Sequence, residues 1–122
     1  MYLYKNNYTL PLGFMIPSDL SDKWIWEEET NPFIVQNSFA ESAAGIKDLF
    51  KPLSFTDKLK SATITVPEDC YVFVHSENKS IKTLASQING GYKTTYGGIN
   101  HGRTVDLGYL KAGTTVEITD ND

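Results

Sequence analysis

One cysteine and two histidines are all that 122 residues contain of those types. A single thiol, Cys70, closes no intramolecular disulfide, so no disulfide framework holds this fold. The same count excludes cysteine-based zinc sites. Basic charge is sparse too. Lys plus Arg total 11 against 15 for Asp plus Glu, a net charge of -4, and no Lys/Arg cluster occurs. Nucleic-acid binding by counterion release needs such clusters, and so does attraction to anionic lipid headgroups. The longest apolar stretch, Leu12 to Ile16, is far too short to span a bilayer. The opening Met1-Tyr-Leu-Tyr-Lys-Asn-Asn7 has no basic region followed by an apolar one, so no signal peptide is read there. On its own the chain is expected to be soluble, with any export directed by sequence outside it.

Catalytic motifs are missing as well. There is no Gly-x-Ser-x-Gly elbow. Cys70 lies inside a β-like run, where a buried, inert thiol is the ordinary state. The stretch Gly90-Gly-Tyr-Lys-Thr-Thr-Tyr-Gly-Gly98 holds glycine, lysine and threonine but not in the phosphate-loop order, and no helix start follows it. Glu27 to Glu29 could meet Asp48, Asp69 or Asp106 in space, as glycoside hydrolysis would require of two carboxylates. Acidic side chains in a net-negative chain are ordinarily a solvated surface. Asp120 and Asp122 are hard-oxygen ligands without the EF-hand spacing. No metal or cofactor is expected, and the chain is read as non-catalytic. A small glycan-active hydrolase or lyase remains as a third reading, and it needs two close carboxylates in a cleft.

What is present is a globular composition, 40% hydrophobic and 21% charged, of single-domain length. Tyr2 to Ile16 reads as an extended edge piece broken by Pro11 and stopped by Pro17. Ser18 to Thr30 is polar and acidic and reads as a loop with one turn of helix. Asn31 to Gly45 carries the clearest helix signal. Asn31 can accept from the free N–H groups of the first turn, Pro32 suits the first helical position, and Gly45 suits the left-handed end. Phe33, Ile34, Phe39, Ala43 and Ala44 supply an apolar stripe. Lys47 to Leu53 continues as a turn with Leu49, Phe50 and Leu53 inward.

From Lys58 the period changes to two. Ala62–Val66 and Cys70–His75 read as strands paired in a hairpin through Pro67-Glu-Asp69. Ile81–Ile88 is a third strand ended by the tight-turn dipeptide Asn89-Gly90. Gly91 to Gly102 reads as a longer loop. Arg103–Leu110 and Thr114–Thr119 are strands joined by the turn Lys111-Ala-Gly113. The expected fold is mostly β, an antiparallel β-sandwich or jelly-roll-like domain over residues 1–122, with one helix at about residues 32–44. The chain stops just after a strand; the sandwich is either complete or lacks a final piece, and the abrupt end is a first hint of a fragment.

His75, in register with Tyr71 and Phe73, reads as a strand-end histidine with a hydrogen bond. His101, in the glycine-rich loop beside Asn100 and Arg103, is either a plain loop residue or part of a ligand site. Trp24, Trp26, Tyr92 and Tyr96 lie in expected loops. Aromatic rings there can stack on the apolar faces of sugars, or the tryptophans cap the core. The candidate carbohydrate-binding residues are therefore Trp24, Trp26, Tyr92, Tyr96 and His101.

Three stretches resemble the YfhO-type bacterial membrane proteins. Leu3-Tyr-Lys-Asn-Asn-Tyr-Thr-Leu-Pro-Leu-Gly-Phe-Met15 looks like that family's Asn-x-x-x-Leu-Pro-x-Gly-Phe segment. Asn31-Pro-Phe-Ile-Val-Gln-Asn-Ser38 is similar to its Asn-Pro-Phe-x-x-Gln-Asn element. Gly45-Ile46 and Leu49-Phe50 follow it where the family has Thr-Gly-x-x-x-Leu-Phe, with Ala44 replacing the Thr. Ile88-Asn-Gly90, Val105-Asp-Leu-Gly108 and Ala112-Gly113 make a third, more general match. The resemblance implies a piece of a multi-spanning, glycosyltransferase-like protein that acts on cell-envelope polymers such as lipoteichoic acid in Gram-positive bacteria. The piece implied is a soluble extracytoplasmic domain at the outer face of the cell membrane. Its implied partners are the membrane-embedded part of the same chain and an envelope glycan, with no nucleic acid and no direct membrane insertion. No catalytic residue is carried over. The alternative reading is a stand-alone carbohydrate-binding β-sandwich module.

Overall fold

The structure is a computed structural model that describes residues 15–24, 31–53 and 60–122. The expected N-terminal edge piece up to Phe14, the Leu10-Pro-Leu-Gly13 motif, the Glu27–Glu29 run and Trp26 lie outside the described residues. The chain divides into two compact units, Met1–Phe50 and Lys51–Asp122.

Among the described residues, the first unit holds two helices. α1 (Leu20–Lys23) is a single turn whose Leu20 is buried. α2 (Pro32–Ala44) starts and stops where the sequence predicts. The Phe33 N–H donates to Asn31 Oδ1 at 3.0 Å, and Pro32 occupies the position where a missing N–H is harmless. Gly45, at φ 67°, ends the helix by donating its N–H to the Glu41 carbonyl at 2.9 Å. Its absent Cβ is what makes that conformation cheap. Asn37 then fastens the segment that follows. Its amide donates to the Phe50 carbonyl at 2.8 Å and accepts from the Phe50 N–H at 2.7 Å. The rings of Phe33 and Phe50 pack with centroids 4.9 Å apart. The expected apolar stripe is looser than its sequence implies: Ile34 is exposed and no residue of α2 is fully buried.

Among its described residues the second unit holds six strands: β1 (Ser61–Thr65), β2 (Cys70–Val74), β3 (Thr83–Ile88), β4 (Lys93–Gly97), β5 (Val105–Leu110) and β6 (Thr115–Asp120). They form a four-stranded sheet ordered β1-β6-β3-β4 and a two-stranded sheet β2-β5, and every pairing is antiparallel. The architecture is mostly antiparallel β and sandwich-like. Alternation explains the core. Ile64, Val116, Ile118, Leu84 and Tyr96 point inward from the larger sheet. Cys70, Val72, Val74, Val105, Leu107 and Leu110 meet them from the smaller. Val116 is fully buried, a burial that contributes about 1.5–3 kcal/mol.

Three features differ from the sequence reading. β1 and β2 do not form a hairpin: β1 pairs with β6 and β2 with β5. Val66 still pairs with the strand entering β6, accepting from Gly113 N–H and donating to the Thr114 carbonyl, each at 2.8 Å. Pro67 has no N–H to continue the ladder, so the chain crosses to the other sheet. Val66 and Val72 thereby face each other within one core cluster. The second difference is the expected loop Gly91–Gly102, which contains β4 and a 3-10 turn, Ile99–His101. Asn89 and Gly90 both have positive φ, and Gly91 N–H bonds to the Ile88 carbonyl at 2.9 Å. That tight turn folds Lys93–Gly97 back onto β3. The third is Leu53, expected inward but 39% exposed.

Candidate functional site

Trp24 sits at the C-terminal end of α1 and is half-buried. Its Nε1–H donates to Ser38 Oγ at 3.0 Å, and its ring meets Phe39 edge-on with centroids 5.0 Å apart. Both contacts are with α2, so this ring packs its own unit.

Tyr92 follows the β3–β4 turn and is 99% exposed. Tyr96, expected in a loop, lies in β4 and packs on the core cluster of Leu84, Ile99 and Val105. Its hydroxyl is 3.3 Å from Ser86 Oγ, and the Arg103 guanidinium lies 5.7 Å from its ring centroid. Arg103 also donates to the Gly97 carbonyl at 2.9 Å. The interior beneath Tyr96, lined by Val74, Leu84, Val105 and Leu107, leaves no room for a water molecule. Tyr96 is thus a packing residue with one polar edge. His101 is exposed and ends the 3-10 turn, between left-handed Gly98 and Gly102. Tyr92 and His101 lie at opposite ends of β4, and five strand residues span about 17 Å. They do not share a site.

Another aromatic pair is brought together on the outer face of the smaller sheet. Tyr71 and Tyr109 are register partners across β2 and β5, 39% and 48% exposed. Their rings are 5.3 Å apart and inclined at 62°. Strict alternation from Val105 would turn Tyr109 inward. A bulge prevents this: Tyr71 faces Tyr109 and Phe73 faces Asp106, so Leu107 and Gly108 together oppose Val72. Gly108 takes φ 82°, and Asp106 Oδ1 accepts its N–H at 2.7 Å. One extra residue reverses the facing, placing Tyr109 outward and Leu110 in the core. A glycine inside a strand pattern was the sequence signal for this pair.

The pair has a charged edge. Lys111 Nζ lies 5.1 Å from the Tyr109 ring centroid and 3.1 Å from Asp69 Oδ2. Asp69 Oδ1 accepts the Ala112 N–H at 2.8 Å. That backbone donor first, and Lys111 second, hold the Asp69 carboxyl below its ordinary value. The Lys111 ammonium is raised in turn, chiefly by its bond to Asp69. Cys70 next door points inward. Burial pushes its thiol up, and Glu68 and Asp69 push the same way, which makes it a poor nucleophile. His75 Nδ1 is 3.3 Å from Thr104 Oγ1, the hydrogen-bonded strand-end state that the sequence suggested.

Among the described residues, no group of three or more His, Cys, Asp or Glu could hold a metal ion. Among them too, no helix is long and apolar enough to cross a membrane. No protein-family model matches the chain, and no curated protein or solved structure matches it either. The arrangement sets two part-exposed tyrosine rings beside the Lys111–Asp69 ion pair.

Proposed function

We propose that the chain is a non-catalytic, extracytoplasmic accessory domain that binds cell-envelope carbohydrate for a bacterial, membrane-embedded glycosyltransferase-like protein. The observation that carries the binding half is the pair of solvent-facing tyrosine rings on the smaller sheet, edged by Lys111 and Asp69. Sugars are met by aromatic faces and a few placed polar groups. The ordered resemblance of Leu3–Met15 and Asn31–Ser38 to YfhO-type proteins supports the membrane half. The residues of the second motif have structural work that fits a domain rather than a reaction centre: Asn31 caps α2 and Asn37 holds Phe50.

The test is genetic. Residues 60–122 are deleted from the encoding gene in its bacterial host, and the sugar content of the extracted envelope polymer is measured by NMR. The expected result is reduced glycosylation while the membrane part is still inserted. Unchanged glycosylation contradicts the accessory role. The alternative of a stand-alone carbohydrate-binding module draws on the same tyrosine pair. A gene that encodes no hydrophobic span on either side of this chain selects it.

A further inference from the structure

We propose that the open edge of β4 binds an extended, acidic peptide segment, which adds to the larger sheet as a further strand between Lys93 and Arg103. This goes beyond the carbohydrate reading and does not depend on it.

The alternation of backbone bonds shows which groups of β4 are free. On β3, the odd-numbered residues serve β6. The Thr83 carbonyl accepts from the Asn121 N–H at 3.0 Å, and the Asn89 N–H donates to the Thr115 carbonyl at 2.8 Å. The Ile88 carbonyl faces the other way, toward Gly91. Bonding alternates along an antiparallel pair, so the even-numbered residues of β3 serve β4. Their partners are Tyr96 and Thr94, opposite Leu84 and Ser86. The N–H and C=O groups of Lys93 and Thr95 therefore point away from β3. Gly97 agrees: its carbonyl turns off the ladder to accept from Arg103 Nη1 at 2.9 Å. β4 ends the order of its sheet. Among the described residues, no bond takes up the outward groups of Lys93 and Thr95.

Sheet edges are ordinarily blunted by proline, bulges or inward-pointing charge. β4 has no proline and keeps five consecutive register pairs without a bulge. β5, by contrast, is interrupted at Gly108. An unbroken edge rich in threonine and tyrosine suits strand addition, in which main-chain bonds supply affinity and side chains supply selection.

Charge selects the partner. Between Glu77 and Asp106 the sequence holds Lys79, Lys82, Lys93 and Arg103 and no acidic residue, in a chain whose balance is -4. Lys93 opens β4 and Arg103 lies against its far end. Both are exposed, and neither has an ion-pair partner among the described residues. Arg103 gives one N–H to Gly97, and a guanidinium has five. The described acidic residues of this sheet lie on β6 or after it. Glu117 and Asp120 are two strands from β4, roughly 10 Å away, and Asp122 accepts the Lys82 N–H beyond the ladder. A carboxylate near each end of an added strand meets a cation, whereas a lysine there meets like charge. A second copy of this chain, added antiparallel, would bring each Lys93 toward the other's Arg103, again like against like.

The experiment uses the full 122-residue chain with the capped peptide Glu-Thr-Val-Thr-Val-Glu and its counterpart Lys-Thr-Val-Thr-Val-Lys. Each is added to about 5 mM, about fivefold above a millimolar Kd. Amide hydrogen exchange of the free chain comes first. Thr94 and Tyr96 are expected to exchange slowly, and Lys93 and Thr95 fast. Slow exchange at Lys93 and Thr95 overturns the proposal, because the edge is then already paired. In two-dimensional amide NMR, the acidic peptide is expected to shift 92–98 and to slow exchange at Lys93 and Thr95. Thr95→Pro removes an outward N–H that β3 does not use, so it should keep the fold and weaken binding by about tenfold. Lys93→Glu should weaken the acidic peptide and strengthen the basic one, each by roughly two- to fivefold. Thermal unfolding of both variants checks the fold, and the wild-type shift and exchange maps need neither variant. No shift at 92–98 with the acidic peptide overturns the site. Equal or tighter binding of the basic peptide overturns the charge selection. Shifts at 92–98 that grow with the concentration of the chain alone identify a second copy as the occupant and overturn the acidic peptide.

Discussion

At the scale of single residues, Gly108 and Asp69 do the positioning. Gly108 has φ 82° and nothing within 4 Å of where a Cβ would stand. Gly108→Ala therefore meets no clash, only the backbone penalty of a left-handed residue, about 1–3 kcal/mol. Chemical denaturation should find that loss. If Gly108→Ala is as stable as wild type, the bulge is not as described. Asp69 makes a pH prediction. Its folded carboxyl lies below the ordinary 3.8 because the Ala112 N–H and Lys111 favour the ionised form. A lowered folded value means the stabilisation is present above the unfolded value and is lost as pH falls through the folded one. Carboxyl NMR of Asp69 should show a midpoint below 3.8, rising toward the ordinary value in Lys111→Ala. A wild-type midpoint at or above 3.8 contradicts the hold of the Ala112 N–H and Lys111 on Asp69.

At the scale of elements, what the sequence revealed follows from how local each cause is. α2 was legible to the residue because its cap, its first-turn proline and its terminal glycine all act within the helix ends. β3 and its Asn89-Gly90 turn were legible for the same reason. The partner of β1 was not. Alternation shows that Ala62-Thr-Ile-Thr-Val66 is a strand with one buried face, but not which strand lies beside it. Pro67 reads locally as part of a hairpin turn, whereas in the fold it ends one ladder and the chain changes sheets. β4 was hidden by its glycines and by the lack of apolar residues other than Tyr96. It is an edge strand, mostly exposed, and only the preceding turn fixes its pairing. The Tyr71–Tyr109 pair was missed because period two places Tyr109 inward, and one bulged glycine reverses that. Asn37 shows the same limit: nothing local announces that its amide holds Phe50, thirteen residues on. Asn37→Ala leaves both Phe50 backbone groups without these bonds, and a loss of about 1–3 kcal/mol is expected in chemical denaturation. Unchanged stability would remove Asn37 from the framework of the first unit.

At the scale of the whole molecule, composition and fold point the same way. A net charge of -4 without basic clusters disfavours polyanions, and the described strands of the second unit are all antiparallel and sandwich-like. The core is filled by residues from both sheets, with Leu107 and Ile118 packed against both clusters. The proposed binding would then fall on the surface, where shallow contact gives little free energy per atom. Saturation-transfer NMR of the disaccharides, observed for hours in the presence of the domain, tests binding and the absence of turnover in one spectrum. The expected result is transfer of saturation to sugar ring protons, with anomeric signals that do not change. No transfer, or new anomeric signals from a cleaved or transferred sugar, would contradict a non-catalytic carbohydrate-binding domain.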